Sequence, residues 1–347
     1  MRWGLIGAGT IGRVRVQALQ GLKDCELVAI ADVDRERARA VAPSLNTGIF
    51  GSQEELLRSD DIEAIILSTP PPSHEEIAVE ALEAGKHVLC EKPLANSVEA
   101  CRRMVETAHR MGRTLATGFN HRYFPAVQFV KQTLDSGIIG ELDHVRAFAG
   151  HTGLSEFSAP WMYDKQVMGG GALVDNGIHI IDLTRHLLGE VEEVFGAATT
   201  NVWRLDRSED NGIAILRSPA GKHAILQATW AEWKGYRFYI EAYGDKGMAR
   251  AYYAPMMSML VIMDKPGGAR RRKYNVYPMN IIREKLRGWQ TTVVRAFQQE
   301  LTDFMKLCHG GKGNIADGFA GFRAVEIAHA IYRSTTERKP VRLVMPF

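Results

Sequence analysis

The sequence predicts an α/β protein that begins with a doubly wound parallel sheet and continues with a strand-rich region. Two observations indicate the parallel sheet: short apolar runs alternate with helical patterns up to about residue 120, and a glycine-rich turn follows the first run. One observation indicates the second part: beyond residue 122 the strand patterns are joined by short turns, as in an antiparallel meander. The length of 347 residues suits two domains, which we place at residues 1–120 and 121–347.

The composition argues against several classes of protein. Apolar residues form 46% of the chain and the formal net charge is +3, so neither a nucleic-acid nor a membrane partner is expected. The four cysteines are scattered without metal-ligand spacing, which predicts free thiols, a reducing cytoplasmic setting and no metal. No apolar run approaches the roughly 18 residues of a membrane span. The N-terminus has the pattern of a strand and not of a signal peptide. The basic run Arg270–Lys273 is interpreted as a solvated loop or strand end, with a phosphate or partner patch as the alternative.

The first predicted strand is Trp3–Ile6, and it leads into Gly7-Ala8-Gly9-Thr10-Ile11-Gly12. This G-x-G-x-x-G pattern has the required context, because it follows a strand and opens a helical pattern that continues to Leu19. The pattern predicts a dinucleotide site. The alternative is a glycine-rich turn that binds nothing.

Each position of the glycine pattern has its own expected role. Gly7 would allow the tight turn, Gly9 would let a pyrophosphate approach the backbone, and Gly12 would allow close packing of helix on strand. Thr10 and Ile11 belong to the helix start, whose free N–H groups and dipole attract an anion.

An acidic residue follows the second predicted strand. Glu26–Ala31 ends at Asp32, twenty residues after the glycine pattern. A carboxylate there accepts hydrogen bonds from the adenosine ribose and repels a 2′-phosphate, so NAD is predicted rather than NADP. Arg35 and Arg37 keep NADP open, since they could meet a 2′-phosphate. Their alternative is the solvated first turn of a helix that starts near Asp34.

Three more strands continue the alternation, at Ala64–Ser68, Lys86–Cys90 and Thr114–Gly118. Ser73 is expected to cap the helix after the first of them, with Glu76 at the capping-box position.

Glu91-Lys92-Pro93 lies at the carboxyl end of a predicted strand, where open α/β sheets bind ligands. The Lys92 ammonium could reach a substrate hydroxyl from there, although exposed lysines after strands are common. Pro93 would fix the turn that directs it. Glu91 could pair with Lys92 or bind the nicotinamide ribose.

The stretch Gly169–Asp182 holds the best candidates for acid–base chemistry. If the chain is helical from Ala172 onward, Asp175 and His179 lie one turn apart on one face. A carboxylate beside an imidazole orients it and raises its basicity, as a general base requires. The alternative is a buried helix with a satisfied His–Asp pair.

These motifs together resemble the glucose–fructose oxidoreductase / inositol dehydrogenase (Gfo/Idh/MocA) family. The resemblance covers nearly the whole chain and rests on the glycine pattern, Thr69-Pro70 with His74, Ala84–Leu94, Gly169–Asp182, and Asn120…Arg122…Pro125, which is similar to the family's domain-crossing segment. It implies that the second domain is α+β, with one large, open and mostly antiparallel sheet whose exposed face joins subunits into a homodimer or homotetramer. Trp230, Trp233, Tyr239 and Tyr243 would supply aromatic surface for that contact, or else belong to the core.

The resemblance further implies NAD-dependent oxidation of a secondary hydroxyl on a sugar, sugar derivative or inositol-like polyol. Lys92, Asp175 and His179 would be catalytic. The predicted cofactor contacts are Gly7, Gly9, Thr10, Ile11, Gly12, Asp32, Thr69, Pro70, His74, Glu91, Lys92 and Asn120. The predicted substrate contacts are Lys92, Arg122, Trp161, Tyr163, Asp175 and His179, with Tyr236 as a weaker candidate. Three alternatives stay open: an NADPH-dependent keto-sugar reductase, a glycoside-cleaving enzyme that oxidises C3 transiently with NAD kept bound, and a non-catalytic NAD-binding regulator.

Overall fold

The computed structural model describes residues 1–344 apart from 42–47, 50–51, 157–158, 207, 264 and 266. The chain divides into two compact units, each built from two stretches of sequence. The first unit combines Met1–Tyr123 with Arg283–Phe322, and the second combines Phe124–Ile282 with the residues from Arg323 onward. Within the described ranges, no helix is long and apolar enough to cross a membrane.

The strands are numbered along the chain. They are β1 Arg2–Ile6, β2 Glu26–Ala31, β3 Gly48–Ile49, β4 Ala64–Leu67, β5 His87–Glu91, β6 Leu115–Gly118, β7 Leu142–Gly150, β8 Glu193–Thr199, β9 Asn211–Arg217, β10 His223–Thr229, β11 Arg237–Gly244, β12 Gly247–Tyr253, β13 Met257–Met263, β14 Arg270–Val276, β15 Ala316–Asp317 and β16 Val341–Arg342. The helices are α1 Thr10–Gln20, α2 Arg35–Val41, α3 Gln53–Arg58, α4 His74–Glu83, α5 Val98–Met111, α6 Pro125–Asp135, α7 Lys165–Met168, α8 Ala172–Asp175, α9 Gly177–Leu188, α10 Pro278–Arg287, α11 Gln290–Cys308 and α12 Gly318–Glu337.

The first unit is built on a seven-stranded sheet in the order β15-β6-β5-β4-β1-β2-β3. Every neighbouring pair is parallel except β15 with β6. Strand β4 is buried along its whole length, as expected for a parallel strand covered on both faces. The predicted strand Glu26–Ala31 coincides with β2. The doubly wound parallel sheet is therefore confirmed.

A helix from near the C-terminus completes the core of the first unit. Phe297, Leu301 and Phe304 of α11 are buried in one cluster with Trp3, whose ring centroid lies 5.3 Å from that of Phe304. The sequence analysis places all of residues 121–347 in the second domain, whereas α11 packs in the first unit. An amphipathic pattern identifies the apolar face of a helix but not the sheet that covers it.

The second unit is built on a nine-stranded sheet in the order β14-β13-β12-β11-β7-β10-β9-β8-β16. Only β7 and β10 pair in parallel, and the other neighbours are antiparallel. Helices α6 and α9 pack against this sheet. In β9 the burial alternates, with Ala214 and Leu216 buried while Ile213 and Ile215 are each 45% exposed. The predicted large, open, mostly antiparallel sheet is confirmed.

Two local predictions differ from the structure. The Ser73 hydroxyl bonds to the Thr69 hydroxyl at 2.7 Å and to the Pro70 carbonyl at 2.9 Å, and it makes no capping bond to α4. The predicted capping box is therefore wrong, because the preceding turn uses the hydroxyl. The basic run Arg270–Lys273 is neither a loop nor only a strand end but forms most of β14, the exposed edge strand. Charged side chains suit an edge that must resist further pairing.

Candidate active site

The predicted site residues fall into two groups, one in each unit. The first unit holds the glycine turn, Asp32, Thr69, Pro70, His74, Glu91, Lys92, Asn120 and Arg122, and the second holds Trp161, Tyr163, Asp175 and His179.

The glycine turn forms an open cradle between β1 and α1. Gly7 has a φ of +96°, which favours glycine, and a Cβ at Gly12 would overlap the Gly7 carbonyl oxygen. A Cβ at Gly9 would have no atom within 4 Å, so the backbone there faces open space. No side chain caps the start of α1 at Thr10, so its N–H groups and dipole are available to an anion. The cradle therefore fits the pyrophosphate of a dinucleotide.

Asp32 ties the end of β2 to this turn. Its Oδ2 accepts the Ala8 N–H at 2.7 Å, and its Oδ1 accepts the Asp34 N–H at 2.8 Å. A carboxylate has about four acceptor sites, so capacity remains for the hydroxyls of a ribose. Arg37 is exposed and pairs with Asp34 at 3.0 Å, and Arg35 is also exposed. This arrangement fits an adenosine ribose that carries no 2′-phosphate.

His74 connects two strand ends of the first sheet. Its ring is fully buried, with Nε2 2.8 Å from the Thr69 carbonyl oxygen and Nδ1 3.0 Å from that of Pro93. Burial lowers the pKa of His74. Thr69 is half-buried and Pro70 is exposed. The imidazole therefore joins the turn after β4 to the turn after β5.

Glu91 is held by a buried arginine. Arg15 of α1 is fully buried, with Nε 2.6 Å from Glu91 Oε1 and Nη1 2.5 Å from a carboxylate oxygen of Glu300 in α11. Its guanidinium carbon lies 3.5 Å from the centroid of the Phe297 ring. Burial raises the pKa of Glu300 to about 7, although the Arg15 charge acts to lower it. The Arg15 guanidinium, which Glu300 holds on its other side, thus fixes the side chain of Glu91, the residue before Lys92.

Lys92 is half-buried just beyond β5, and its peptide bond to Pro93 is cis. The side chain of His121 lies close to it: burial and then the positive charge of Lys92 lower the pKa of His121 to about 3. His121 is thus neutral at physiological pH, and its Nδ1 is 3.2 Å from Asn120 Oδ1. Asn120 and His121 are therefore neutral polar groups on the lysine side of the site.

Arg122, predicted to contact substrate, has partners in the stretch after α11. It is 5% exposed, its Nη1 lies 3.4 Å from the Asn314 carbonyl oxygen, and Asn314 Nδ2 donates to the Arg122 carbonyl at 3.0 Å. These bonds give Arg122 a structural role in the first unit. Its predicted contact with substrate stays a prediction.

In the second unit, Asp175 is held by two donors from the end of the sheet. Its Oδ2 lies 2.9 Å from His151 Nε2 and 3.0 Å from Trp230 Nε1. His151 follows β7 and Trp230 follows β10, and these two strands are parallel neighbours. The Gly153 N–H lies 3.0 Å from His151 Nδ1, which assigns the proton to Nε2, facing Asp175.

The segment that carries Asp175 and His179 is two helices and not one. α8 ends at Asp175 and α9 begins at Gly177, with Asn176 as the turn between them. His179 is buried, with 8% of its surface exposed. The sequence analysis paired Asp175 with His179, and the structure shows a different imidazole, that of His151, bonded to the Asp175 carboxylate. The predicted pairing of Asp175 with His179 stays a prediction.

Three of the predicted substrate contacts in the second unit are aromatic: Trp161, Tyr163 and Tyr236. Trp161 is 38% exposed, and the carbonyl of Tyr163 accepts the Ser208 hydroxyl at 2.7 Å. Tyr236 exposes 36% of its surface, yet burial of its hydroxyl and then the charge of Asp175 raise the pKa of the phenol. Tyr236 is therefore close to the carboxylate, and its predicted contact with substrate stays a prediction.

Sequence reasoning missed several members of the site. His151 lies in no recognised motif. Trp230 is fully buried, as its core alternative predicts, but its bond to Asp175 has no signal in the sequence. Ser208, Glu209 and Asp210 also belong to no motif in the sequence. Their signal is the run of six polar residues, 206–211, that interrupts a strand-rich region. In the part of the chain that the structure describes, no group of three or more His, Cys, Asp or Glu side chains is placed to hold a metal ion.

The first unit has the geometry of a nucleotide-dependent oxidoreductase: an open glycine cradle, an acidic residue after the second strand, and a lysine beyond β5 at the carboxyl edge of the sheet. Residues 1–119 match a family model described as "Oxidoreductase family, NAD-binding Rossmann fold", and residues 127–250 match the "GFO/IDH/MocA C-terminal domain". The chain belongs to the Gfo/Idh/MocA family, and it is an NAD-dependent oxidoreductase.

Similar proteins extend over most of the chain. Myo-inositol 2-dehydrogenase of Thermotoga maritima is 28% identical and covers 99% of this chain and 98% of its own length. The oxidoreductase YrbE of Bacillus subtilis is 31% identical over 72% of each chain. Among solved structures, the WlbA dehydrogenase of Bordetella pertussis, in complex with NADH and UDP-GlcNAcA, has a TM-score of 0.82 at 25% identity, with 99% of this chain and 98% of that chain covered.

Proposed function

We propose that this protein oxidises a secondary hydroxyl of a sugar, sugar derivative or inositol-like polyol to a ketone, with NAD as the acceptor. The observation that carries the proposal is the Asp175 carboxylate, bonded to His151 and Trp230 and four residues before the buried His179. An alcohol oxidation needs a base that accepts the hydroxyl proton, and imidazoles beside a carboxylate supply one. The full-length similarity to a myo-inositol 2-dehydrogenase supports the substrate class.

The oxidation removes a proton from the hydroxyl oxygen and a hydride from the carbon that bears it. When bound, NAD supplies the acceptor for the hydride. In this proposal His179 takes the proton, and the Asp175 charge stabilises the imidazolium that results. Lys92 donates a hydrogen bond to the same oxygen and stabilises its developing negative charge.

The cofactor would be held by residues of the first unit. Gly7, Gly9 and Gly12 with the start of α1 would bind the pyrophosphate, and Asp32 would bind the adenosine ribose. The rest of the cofactor-binding surface would be lined by Thr69, Pro70, Asn120 and Lys92. The resemblance also places His74 and Glu91 at the cofactor. His74 would support this surface by bonding to the backbone of Thr69 and Pro93. Glu91 would do so from the position in which Arg15 holds it.

The proposal is tested by a screen followed by a double-mutant cycle. Inositols, sugars and glycosides are incubated with NAD or NADP, and the absorbance at 340 nm is followed. His179→Ala and Lys92→Ala should each lower kcat by roughly 10²–10⁴, and the double variant should lose less than the two losses combined. His223→Ala, which removes an exposed histidine at the start of β10, is the matched control and should match wild type.

Two results would contradict this assignment. Wild-type kcat in folded His179→Ala with a lowered melting temperature would give His179 only a structural role. Net cleavage of a glycoside without added NAD would identify the glycoside-cleaving alternative instead.

We also propose that the protein is a homo-oligomer, a dimer or tetramer, joined through the outer face of the nine-stranded sheet. One row of cross-strand neighbours runs over this face: Phe195, Ile215, Ile225, Arg146, Glu241 and Arg250. The first three are 46%, 45% and 51% exposed, and Arg250 pairs with Glu241 at 3.4 Å. A two-fold contact places such a surface against itself, so apolar and paired charged groups must be self-complementary.

Light scattering tests the assembly. Ile225→Asp should shift wild-type oligomers to a lower mass, whereas Ile138→Asp, at a 47% exposed position outside the sheet, should not. A monomeric wild-type protein at micromolar concentration would refute the assembly.

A further inference from the structure

Three consecutive polar residues, Ser208-Glu209-Asp210, are buried at the site end of the nine-stranded sheet, with 0%, 5% and 0% of their surfaces exposed. Each bonds to a different segment. The Ser208 hydroxyl donates to the Tyr163 carbonyl, and the Asp210 carbonyl accepts the Trp230 N–H at 2.7 Å. Glu209 bonds to the start of α8. This short loop therefore bonds to the segment of Tyr163, to the residue that follows β10 and to the start of α8.

Glu209 is the residue of this loop that bonds to the start of α8. Its carboxylate accepts the Gly171 N–H at 2.9 Å, the Leu173 N–H at 2.9 Å and the Tyr332 hydroxyl at 2.7 Å. Its own carbonyl accepts the Ala172 N–H at 3.0 Å. Three consecutive backbone N–H groups, from the residue before α8 to its second residue, are thus all bonded to Glu209.

The glycines before α8 are shaped to this attachment. A Cβ at Gly170 would overlap the Tyr332 hydroxyl, and a Cβ at Gly171 would overlap the Glu209 carbonyl. The glycine run therefore brings the chain against Glu209 and Tyr332 in this unit, in addition to any role toward a ligand. Only residues without a side chain fit so close to both.

Burying the Glu209 carboxylate costs free energy, and we take this cost as a sign that the carboxylate has a positioning role. Burial raises the pKa of Glu209, because a carboxylate loses hydration there. The three groups that donate to the carboxylate are neutral, so its charge is opposed by dipoles and not by a cation. A neutral cap would satisfy a helix start without burying a charge. The carboxylate instead accepts two backbone bonds of 2.9 Å each at the start of α8, whose last residue is Asp175.

We propose that Glu209, oriented by the Tyr332 hydroxyl, is a positioning residue that sets the place of Asp175 opposite His151 and Trp230. This inference rests on the proposed function, in which Asp175 serves the proton acceptor. Glu209 itself touches no reacting atom. It acts by holding the backbone between Gly171 and Leu173, so its loss lets the first turn of α8 move while the sheet stays intact.

The test compares Tyr332→Phe and Glu209→Gln with Ser334→Ala. Ser334 is buried on the same helix and bonds to the Gly196 N–H at 3.0 Å and the Lys339 carbonyl at 2.8 Å, away from α8, so its variant is a matched control. Tyr332→Phe keeps the ring and removes one hydroxyl, and it serves if Glu209→Gln fails to fold. Two measurements are made: hydrogen exchange of overlapping peptides that separate residues 169–175 from the start of α9, and kcat with KM for NAD, using myo-inositol or another substrate that the wild type oxidises.

Tyr332→Phe and Glu209→Gln should raise exchange within residues 169–175 only, and lower kcat at least tenfold with KM for NAD within twofold of wild type. Ser334→Ala should leave both unchanged even if its melting temperature falls equally. Unchanged exchange in 169–175, a rise spread evenly over the protein, or a kcat equal to that of Ser334→Ala would overturn the proposal. Exchange needs no substrate, so a wild-type protein that oxidises no polyol refutes the proposed function, while the exchange result still decides whether Glu209 holds α8.

Discussion

Replacing Gly9 by alanine separates the stability of the glycine cradle from its binding function. Gly9 has φ −68° and ψ −165°, values that alanine adopts without strain, and a Cβ there meets no atom within 4 Å. The folded protein should accept the methyl group. The melting temperature should stay the same or rise slightly, because Gly→Ala at a compatible site stabilises by about 0.4–1 kcal/mol.

The same methyl group would stand where a pyrophosphate has to approach the backbone. A hydrogen bond to a charged group contributes about 1.5–3 kcal/mol, so the loss of one such bond should raise the Kd for NAD by roughly 10–150-fold. Calorimetric titration of NAD measures this without a substrate. Gly12→Ala is the contrasting variant, since its Cβ would overlap the Gly7 carbonyl oxygen and should destabilise the fold itself.

The result that would refute this reasoning is specific. If Gly9→Ala binds NAD as tightly as wild type while remaining folded, no phosphate contacts the backbone at Gly9. If Gly9→Ala instead loses stability as Gly12→Ala does, the space at Gly9 is not open.

Two further predictions concern cofactor choice and pH. Asp32→Ala should reduce the preference for NAD over NADP, measured as the ratio of kcat/KM values, by roughly 1–3 kcal/mol. Asp34→Ala, which removes the neighbouring helix-capping carboxylate, is the control, and a wild-type preference for NADP of tenfold or more would point to Arg35 and Arg37 instead. Glu300→Gln should flatten the pH dependence of stability: burial raises the pKa of Glu300 from 4.5 to about 7, so the folded protein keeps a proton that the unfolded chain has released, and stability falls as the pH rises through that interval. The difference in unfolding free energy between wild type and variant should change by about 2–3 kcal/mol from pH 5 to pH 8, and urea curves that differ by a constant amount would contradict it.

The cofactor half of the site was predictable because its geometry is local. A strand, a tight turn and a helix occupy consecutive residues, so the spacing of Gly7, Gly9 and Gly12 already specifies where the backbone opens. The distance along the chain to Asp32 follows from the length of one helix and one strand. The bond from Asp32 to the Ala8 N–H at 2.7 Å agrees with that reasoning.

The partners of the candidate acid–base groups were not predictable by the same argument. Arg15 meets Glu300 across 285 positions, and His151 meets Asp175 across 24. Such pairs depend on which strands become neighbours and which helix covers the sheet, and no local periodicity contains that information. The pattern Asp175…His179 predicted a pair within one segment, whereas the Asp175 carboxylate takes partners from the ends of β7 and β10.

The return of α11 to the first unit has a consequence for synthesis of the chain. A nascent protein that has reached residue 282 contains the whole of Met1–Tyr123. It still lacks α11, whose side chains pack on Trp3 and pair with Arg15. At roughly 5–20 residues per second, the ribosome adds the intervening sequence over about 10–35 s. The strands of the second sheet, down to β14, are therefore made before the nucleotide-binding unit can be completed. Any fusion or truncation that ends the chain ahead of α11 removes part of the N-terminal core, even though the cut lies far from it in sequence.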